Sequence, residues 1–216
     1  MKDHTKAVLF DLDGTLGDSG KSVVDAWNVI LAQEDLPQIS AEQMRSVMGF
    51  SMDDIWQTLF PTCEKARGKQ VMKRCECFEN AYIRSHGGIL FEHVREVLSQ
   101  MSEQYMVGII SNCQAGYIEA FLAYYGLEDY VDFTRAFGDF HKQKAENIQD
   151  IIRENKIKEA IYIGDIENDY LSAKKANVPF LLAKYGFGPF PYAPYVESVK
   201  EIPACVELYF EKGREA

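Results

Sequence analysis

Ala7-Val8-Leu9-Phe10-Asp11-Leu12-Asp13-Gly14-Thr15-Leu16 is the stretch that decides the fold. A short apolar run stops abruptly at two carboxylates spaced i, i+2, and Gly-Thr follows at once. The run is too short for a helix and reads as a strand buried on both faces, as in a parallel sheet. Asp11 and Asp13 then fall where the strand unravels, and Gly14 gives the chain freedom to turn. Open α/β sheets bind ligands outside the carboxyl ends of their strands, where this pair belongs. Two acids at that place suggest a hard cation, a nucleophile or both. An isolated Asp-x-Asp is more often a solvated strand exit, so the rest of the chain must decide.

Residues 19–88 carry only helical signals. Val23, Ala26, Trp27, Ile30 and Leu31 recur at helical spacing. Ser40-Ala41-Glu42-Gln43 has the capping-box pattern, and Ser51-Met52-Asp53-Asp54 reads as another helix start. A long helix over about 63–85 is expected, with Gly87-Gly88 breaking it. Helix and strand then alternate. Strands are expected near 105–110, 133–137, 160–163 and 180–183, with helices near 92–103, 115–125, 145–155 and 169–176. Asn177 is a left-handed C-cap, and a terminal helix begins near Pro203. This order implies a Rossmann-like α/β fold: a doubly wound, mainly parallel sheet with helices on both faces and an inserted all-helical cap. Residues 1–17 and 88–216 are assigned to the core domain and 18–87 to the cap domain. The cap enters at the carboxyl end of the first strand, placed to roof Asp11 and Asp13.

Three further strand exits carry chemistry. Ile110 leads into Ser111-Asn112, a hydroxyl and an amide where a bound oxyanion needs donors, although either residue also suits a helix N-cap. Lys142-Gln143-Lys144 opens a helix, where a lysine opposes the helix dipole unless something negative lies beside it. Both lysines remain open, and Lys144 is chosen as closer to the helix start. The strand Ile161-Tyr162-Ile163 ends in Gly164-Asp165, with Asp169 four residues on. Asp165 and Asp169 would face Asp11 and Asp13 across neighbouring strand ends. Carboxylates so gathered repel unless protons or a divalent cation neutralise them, and an oxygen-rich set points to Mg²⁺.

Composition bounds the partners. A chain of 216 residues, 47% hydrophobic and 26% charged, is an ordinary globular protein with one large domain or one domain with an insertion. A net charge of -10 argues against nucleic-acid or anionic-membrane surfaces. No apolar stretch approaches a membrane span and no secretory signal is evident, so a cytoplasmic location is expected. Cys63, Cys75, Cys77, Cys113 and Cys205 are odd in number and scattered, and are taken as reduced structural thiols. His4, His86, His93 and His141 have no metal-ligand spacing, so no zinc site is expected.

In order, DLDGT, hydrophobic-SN, a lysine at a helix start and GDxxxD resemble the haloacid dehalogenase-like (HAD) superfamily over essentially the whole chain. The helical insertion between the first two motifs is similar to the C1 cap type, and the chain most resembles the phosphoglycolate phosphatase and β-phosphoglucomutase-like subgroup. The resemblance implies a Mg²⁺-dependent phosphatase of small phosphorylated metabolites working through an aspartyl-phosphate. A sugar phosphomutase and a catalytically silent binding module are the alternatives. It makes Asp11 the nucleophile, Asp13 the general acid and base, and Ser111 and Lys144 the holders of the phosphoryl oxygens. Mg²⁺ would rest on Asp11, the Asp13 carbonyl and Asp165, with Asp169 binding directly or through water. Thr15 and Asn112 are further phosphate-side candidates. Arg45 and Gly49, in and beside Met48-Gly49-Phe50-Ser51, are the cap candidates, with Arg45 suited to a substrate carboxylate or second phosphate. Tyr185-Gly186-Phe187-Gly188 is a candidate rim. A monomer or homodimer is expected. Two departures stand out: Glu92-His93 replaces a common Pro-Gly turn, and Ile166 replaces a small hydroxyl residue after Gly-Asp.

Overall fold

The computed structural model describes residues 2–50, 52–188, 190–192 and 194–212, leaving out the side chains of 52, 53 and 212. Strand β1 (Asp3–Phe10) enters β2 (Gly17–Asp18) through a tight turn. Four helices follow: α1 (Gly20–Gln33), α2 (Ala41–Arg45), α3 (Met52–Leu59) and α4 (Lys65–His86). The chain returns through β3 (Ile89–Leu90), which pairs antiparallel with β2. Alternation then begins with α5 (Val94–Gln104), β4 (Tyr105–Ser111), α6 (Tyr117–Tyr125), β5 (Phe133–Ala136) and α7 (Phe137–Phe140). It continues with α8 (Lys144–Glu154), β6 (Glu159–Gly164), α9 (Glu167–Lys175), β7 (Phe180–Ala183), β8 (Tyr195–Val196) and α10 (Ile202–Lys212).

The large sheet is parallel, in the order β5-β4-β1-β6-β7-β8. From β1 the chain fills one side of the sheet with β4 and β5, then crosses to the other with β6, β7 and β8. The order therefore reverses at β1, and crevices open at such a reversal. Alternate residues of β1 serve opposite faces. Val8 and Phe10 join the apolar layer containing Val97, Leu98 and Phe121, while Ala7 and Leu9 join the one containing Ile148, Ile151 and Ala173. Helices cover both faces, which is why β1 is apolar at every position from Ala7 to Phe10.

The expected elements form, with differences at their margins. β1 begins at Asp3, because pairing of Asp3 with Tyr105 of β4 extends polar residues that have no strand pattern of their own. β2, β3, β8 and α7 run to four residues or fewer and are made by their surroundings rather than by local propensity. The Ser40 capping box and the left-handed Asn177 (φ 59°) are both present. The helix start proposed at Ser51 lies outside the described residues. All five cysteines are free, and no helix among the described residues is long and apolar enough to cross a membrane.

His93, the residue before α5, sits at φ 68°, a left-handed conformation that a Cβ disfavours. A His93→Gly substitution is expected to stabilise the protein by about 0.5–1 kcal/mol, the strain relieved less glycine's greater loss of chain freedom. A urea midpoint that does not rise would contradict this account of the turn.

Candidate active site

Backbone pairing of the central strands brings the acids together. Phe10 is in register with Ile109 on one side and Ile163 on the other, and the Asp11 amide continues the ladder by donating to the Ile163 carbonyl at 2.8 Å. Asp11 and Asp165 therefore leave adjacent strands at the same level. Asp169, in the first turn of α9, folds back beneath them; its Oδ2 accepts from the Asp165 and Ile166 amides at 3.1 and 3.3 Å. Carboxylate oxygens of Asp11, Asp165 and Asp169 lie within 4.8 Å of one another, and all three side chains are buried.

Lys144 answers this charge. It opens α8, is 2% exposed, and its Nζ donates to Asp11 Oδ1 at 2.7 Å and to Asp169 Oδ1 at 2.5 Å. Lys142 instead pairs with Asp150 near the surface, so the choice between the two lysines falls on Lys144. Burial disfavours the ammonium, but Asp11 and Asp169 outweigh it and push Lys144 well above its ordinary value. Burial pushes the Asp11 carboxyl up, with Lys144 opposing and the neighbouring acids adding to the rise. Asp165 is raised to about 7 by burial and by Asp169, although the Phe187 amide donates to it at 2.7 Å. One ammonium among three carboxylates leaves net negative charge. At such spacing each like-charge pair costs roughly 3–4 kcal/mol at an effective dielectric near 20. A divalent cation with oxygen ligands fits this set chemically, Asp11 and Asp165 being the acids less committed to internal hydrogen bonds.

Glycines close the floor. A Cβ on Gly14 (φ 87°) would lie 2.1 Å from Asp165 Oδ2, and one on Gly186 would lie 2.2 Å from Asp165 Cβ. The 185–188 segment is thus a packed wall. Tyr185 donates from its hydroxyl to the Thr15 carbonyl at 2.8 Å.

Asp13 has a different environment. Its carboxylate points toward the helical insertion and accepts from the Tyr117 hydroxyl at 3.3 Å. Burial pushes it up to about 6, with the Ser19 and Tyr117 hydroxyls opposing part of that rise. It is not part of the carboxylate cluster around Lys144. Asp11, Asp13, Ser111 and Asn112 line one cavity of about 50 Å³, walled on the far side by Trp27 and Glu79. A water molecule takes roughly 10–15 Å³ on the same scale, so the space is about that of a phosphoryl group.

The remaining sequence candidates separate. Asn112 donates to the Gly49 carbonyl at 2.9 Å, tying the loop after α2 to the end of β4. Gly49, at φ 84°, presses against the Ile166 side chain, which accounts for an apolar residue where a small hydroxyl was expected. Thr15 is fully buried, and its Oγ1 finds no partner among the described residues. Arg45 does not line the cavity: it is largely exposed, 3.7 Å from Asp18 and over the Phe187 ring.

Sequence reasoning missed Glu79, Gln114 and Tyr117. Glu79 is 4% exposed, accepts from Trp27 Nε1 at 2.5 Å, and is raised to about 7 by burial. Gln114 and Asn80 bond each other at 3.0 Å, and Asn80 also donates to the Ala115 carbonyl at 2.8 Å, fastening α4 to the loop before α6. The available signal was periodicity: Glu79 falls on the stripe of α4 that otherwise buries Met72, Cys75 and Ile83.

A family model for haloacid dehalogenase-like hydrolases matches residues 8–183. A phosphoglycolate phosphatase of Yersinia pestis is 25% identical over 214 residues, covering 95% of this chain and 90% of that protein. One from Photorhabdus laumondii is 26% identical over 214 residues, covering 95% and 89%. A haloacid dehalogenase-like family protein of Streptococcus pneumoniae superposes with a TM-score of 0.79 at 21% identity, over 94% of this chain and 98% of that one. A HAD-superfamily hydrolase of subfamily IA from Geobacter sulfurreducens gives 0.70 at 24%, over 94% and 97%.

Because Asp165 titrates near 7 in the folded chain and at its ordinary value of 3.8 when unfolded, the folded state holds the extra proton between those limits. Its contribution to stability is full below the lower limit and is lost as pH rises through the upper one. In the presence of chelator, the urea midpoint is therefore expected to fall from pH 4 to 7. Asp165→Asn should flatten that decline, and an unchanged slope would contradict the assignment.

Proposed function

The chain belongs to the haloacid dehalogenase-like hydrolases, and from that premise we propose that it is a Mg²⁺-dependent phosphatase of small phosphorylated metabolites, acting through an aspartyl-phosphate. The observation that carries this reading is the Lys144 ammonium bridging Asp11 and Asp169 beside Asp165, at the point where the sheet reverses. The phosphoglycolate phosphatase relatives favour a phosphomonoester substrate. Residues 18–87 act as a cap domain over a core formed by 1–17 and 88–216.

Asp11 is the nucleophile. Lys144 holds its Oδ1, leaving Oδ2 to attack phosphorus in line as the bond to the leaving oxygen breaks. Asp13 gives that oxygen a proton. It then takes one from a water that attacks the aspartyl-phosphate, breaking the phosphorus–Asp11 bond and releasing inorganic phosphate. A group titrating at about 6 suits both tasks near neutral pH. Ser111 and Lys144 hold the phosphoryl oxygens, with Thr15 and Asn112 supporting that end. Asp11, Asp165 and the Asp13 carbonyl would hold Mg²⁺, which when bound supplies charge neutralisation for the phosphoryl group. Asp169 acts chiefly on Lys144 and the Asp165 loop, given its occupied oxygens. Gly49 closes the cavity as a cap residue. Arg45, at the cap margin over Phe187, is given no contact with the substrate.

Hydrolysis of p-nitrophenyl phosphate with added Mg²⁺ is the direct test. Asp13→Asn is expected to lower kcat by about 10²–10⁴. Asp11→Asn should remove phosphoenzyme formation, seen as loss of acid-stable label from a phosphorylated substrate. Activity that survives chelation, or full turnover by Asp11→Asn, would overturn the proposal.

A further inference from the structure

The wall of the cavity opposite Asp11 is acidic, and among the described residues no lysine or arginine lines it. Arg45 lies outside on Asp18 and Phe187. Lys65, Lys69 and Lys73 line a separate open cleft of about 950 Å³ beyond Gln114, and all three are exposed. Lys144 is on the far side of Asp11 and already engaged by two carboxylates. What does face the leaving-group end is Glu79, buried, held at Oε2 by the Trp27 indole, with the Gln114 amide beside it. Val23, Met44 and Ile55 supply apolar walls around it.

We infer that Glu79 makes this cavity a subsite for a cationic leaving group, so that the preferred substrates are short phosphomonoesters carrying an ammonium rather than a carboxylate. The inference rests on the phosphatase proposal and adds the substrate class. A carboxylate placed here would meet Glu79 and Asp13 with no compensating cation, out of water, where like charges repel strongly. An ammonium would give Glu79 a counter-charge that no lysine or arginine among the described lining residues supplies. The small volume restricts the leaving group to a few non-hydrogen atoms.

Three esters of similar size separate the possibilities: 2-aminoethyl phosphate, carboxymethyl phosphate and propyl phosphate, assayed with Mg²⁺ by phosphate release. The aminoethyl ester should exceed the carboxymethyl ester in kcat/KM by roughly ten- to a hundredfold, the scale of a charged hydrogen bond out of water. Propyl phosphate should fall between them. Glu79→Gln keeps the shape and an oxygen for Trp27; it should bring the aminoethyl and propyl esters to parity, chiefly through KM, and improve the carboxymethyl ester. A carboxymethyl preference in the wild type, or substrate ratios unchanged in Glu79→Gln, would overturn the inference while leaving the phosphatase proposal standing. No hydrolysis of any ester, p-nitrophenyl phosphate included, would overturn both.

Discussion

The buried contact of Lys144 with Asp11 and Asp169 is the constraint on which the carboxyl end of the sheet depends. Three acids cannot share a dry space with one another, and a single ammonium only partly relieves them. The strands bring them together nonetheless, because Asp11 follows Phe10 directly and Asp165 follows Ile163 after Gly164 alone, at the ends of apolar runs that must pair in register. Core burial thus provides the free energy that holds repelling charges in place. The site keeps the residual negative charge, and that residue of charge is what a cation would neutralise.

The acids divide by environment. Asp11, Asp165 and Asp169 look down onto the sheet ends and onto Lys144. Asp13, two residues from Asp11, looks up at hydroxyls and at the helices. In a regular strand the i, i+2 spacing would put both on one face; they part because β1 ends at Phe10 and the chain turns away through Gly14 at φ 87°. One turn therefore presents a carboxylate anchored by charge and another tuned by burial. Glu79 adds a third setting, an acid on an apolar helix stripe that is met by the Trp27 indole and the Gln114 amide.

Much of this was legible in the chain because the sheet is buried on both faces. A parallel strand with no solvated side is apolar throughout, so β1, β4 and β6 stand out, and the polar residues that end them mark the ligand edge. Lys144 could not be told from Lys142 by composition. Its role depends on which residue begins α8, and that is set by how Ile148 and Ile151 dock on the sheet. Glu79 was hidden for a related reason. Its significance comes from Trp27, 52 positions earlier, and from the loop after β4; within α4 only its place on the apolar stripe sets it apart from Glu76. The short β8 and α7 were invisible because their geometry is imposed by neighbours.

The ribbon of β2 and β3 carries a mechanical consequence. Both passages between the sheet and the helices run side by side there, with Gly17 opposite Leu90 and Asp18 opposite Ile89. Two adjacent tethers paired in one ribbon leave the helices fewer independent ways to shift against the sheet than two separate tethers would. Asp13 lies in the turn that leads into it, bridged to Gly17, with the Gly14 amide on the Gly17 carbonyl at 2.8 Å. Any displacement of the helices relative to the sheet would therefore be felt first in the turn that carries Asp13, so the position of that carboxylate is geared to the posture of the helices above it.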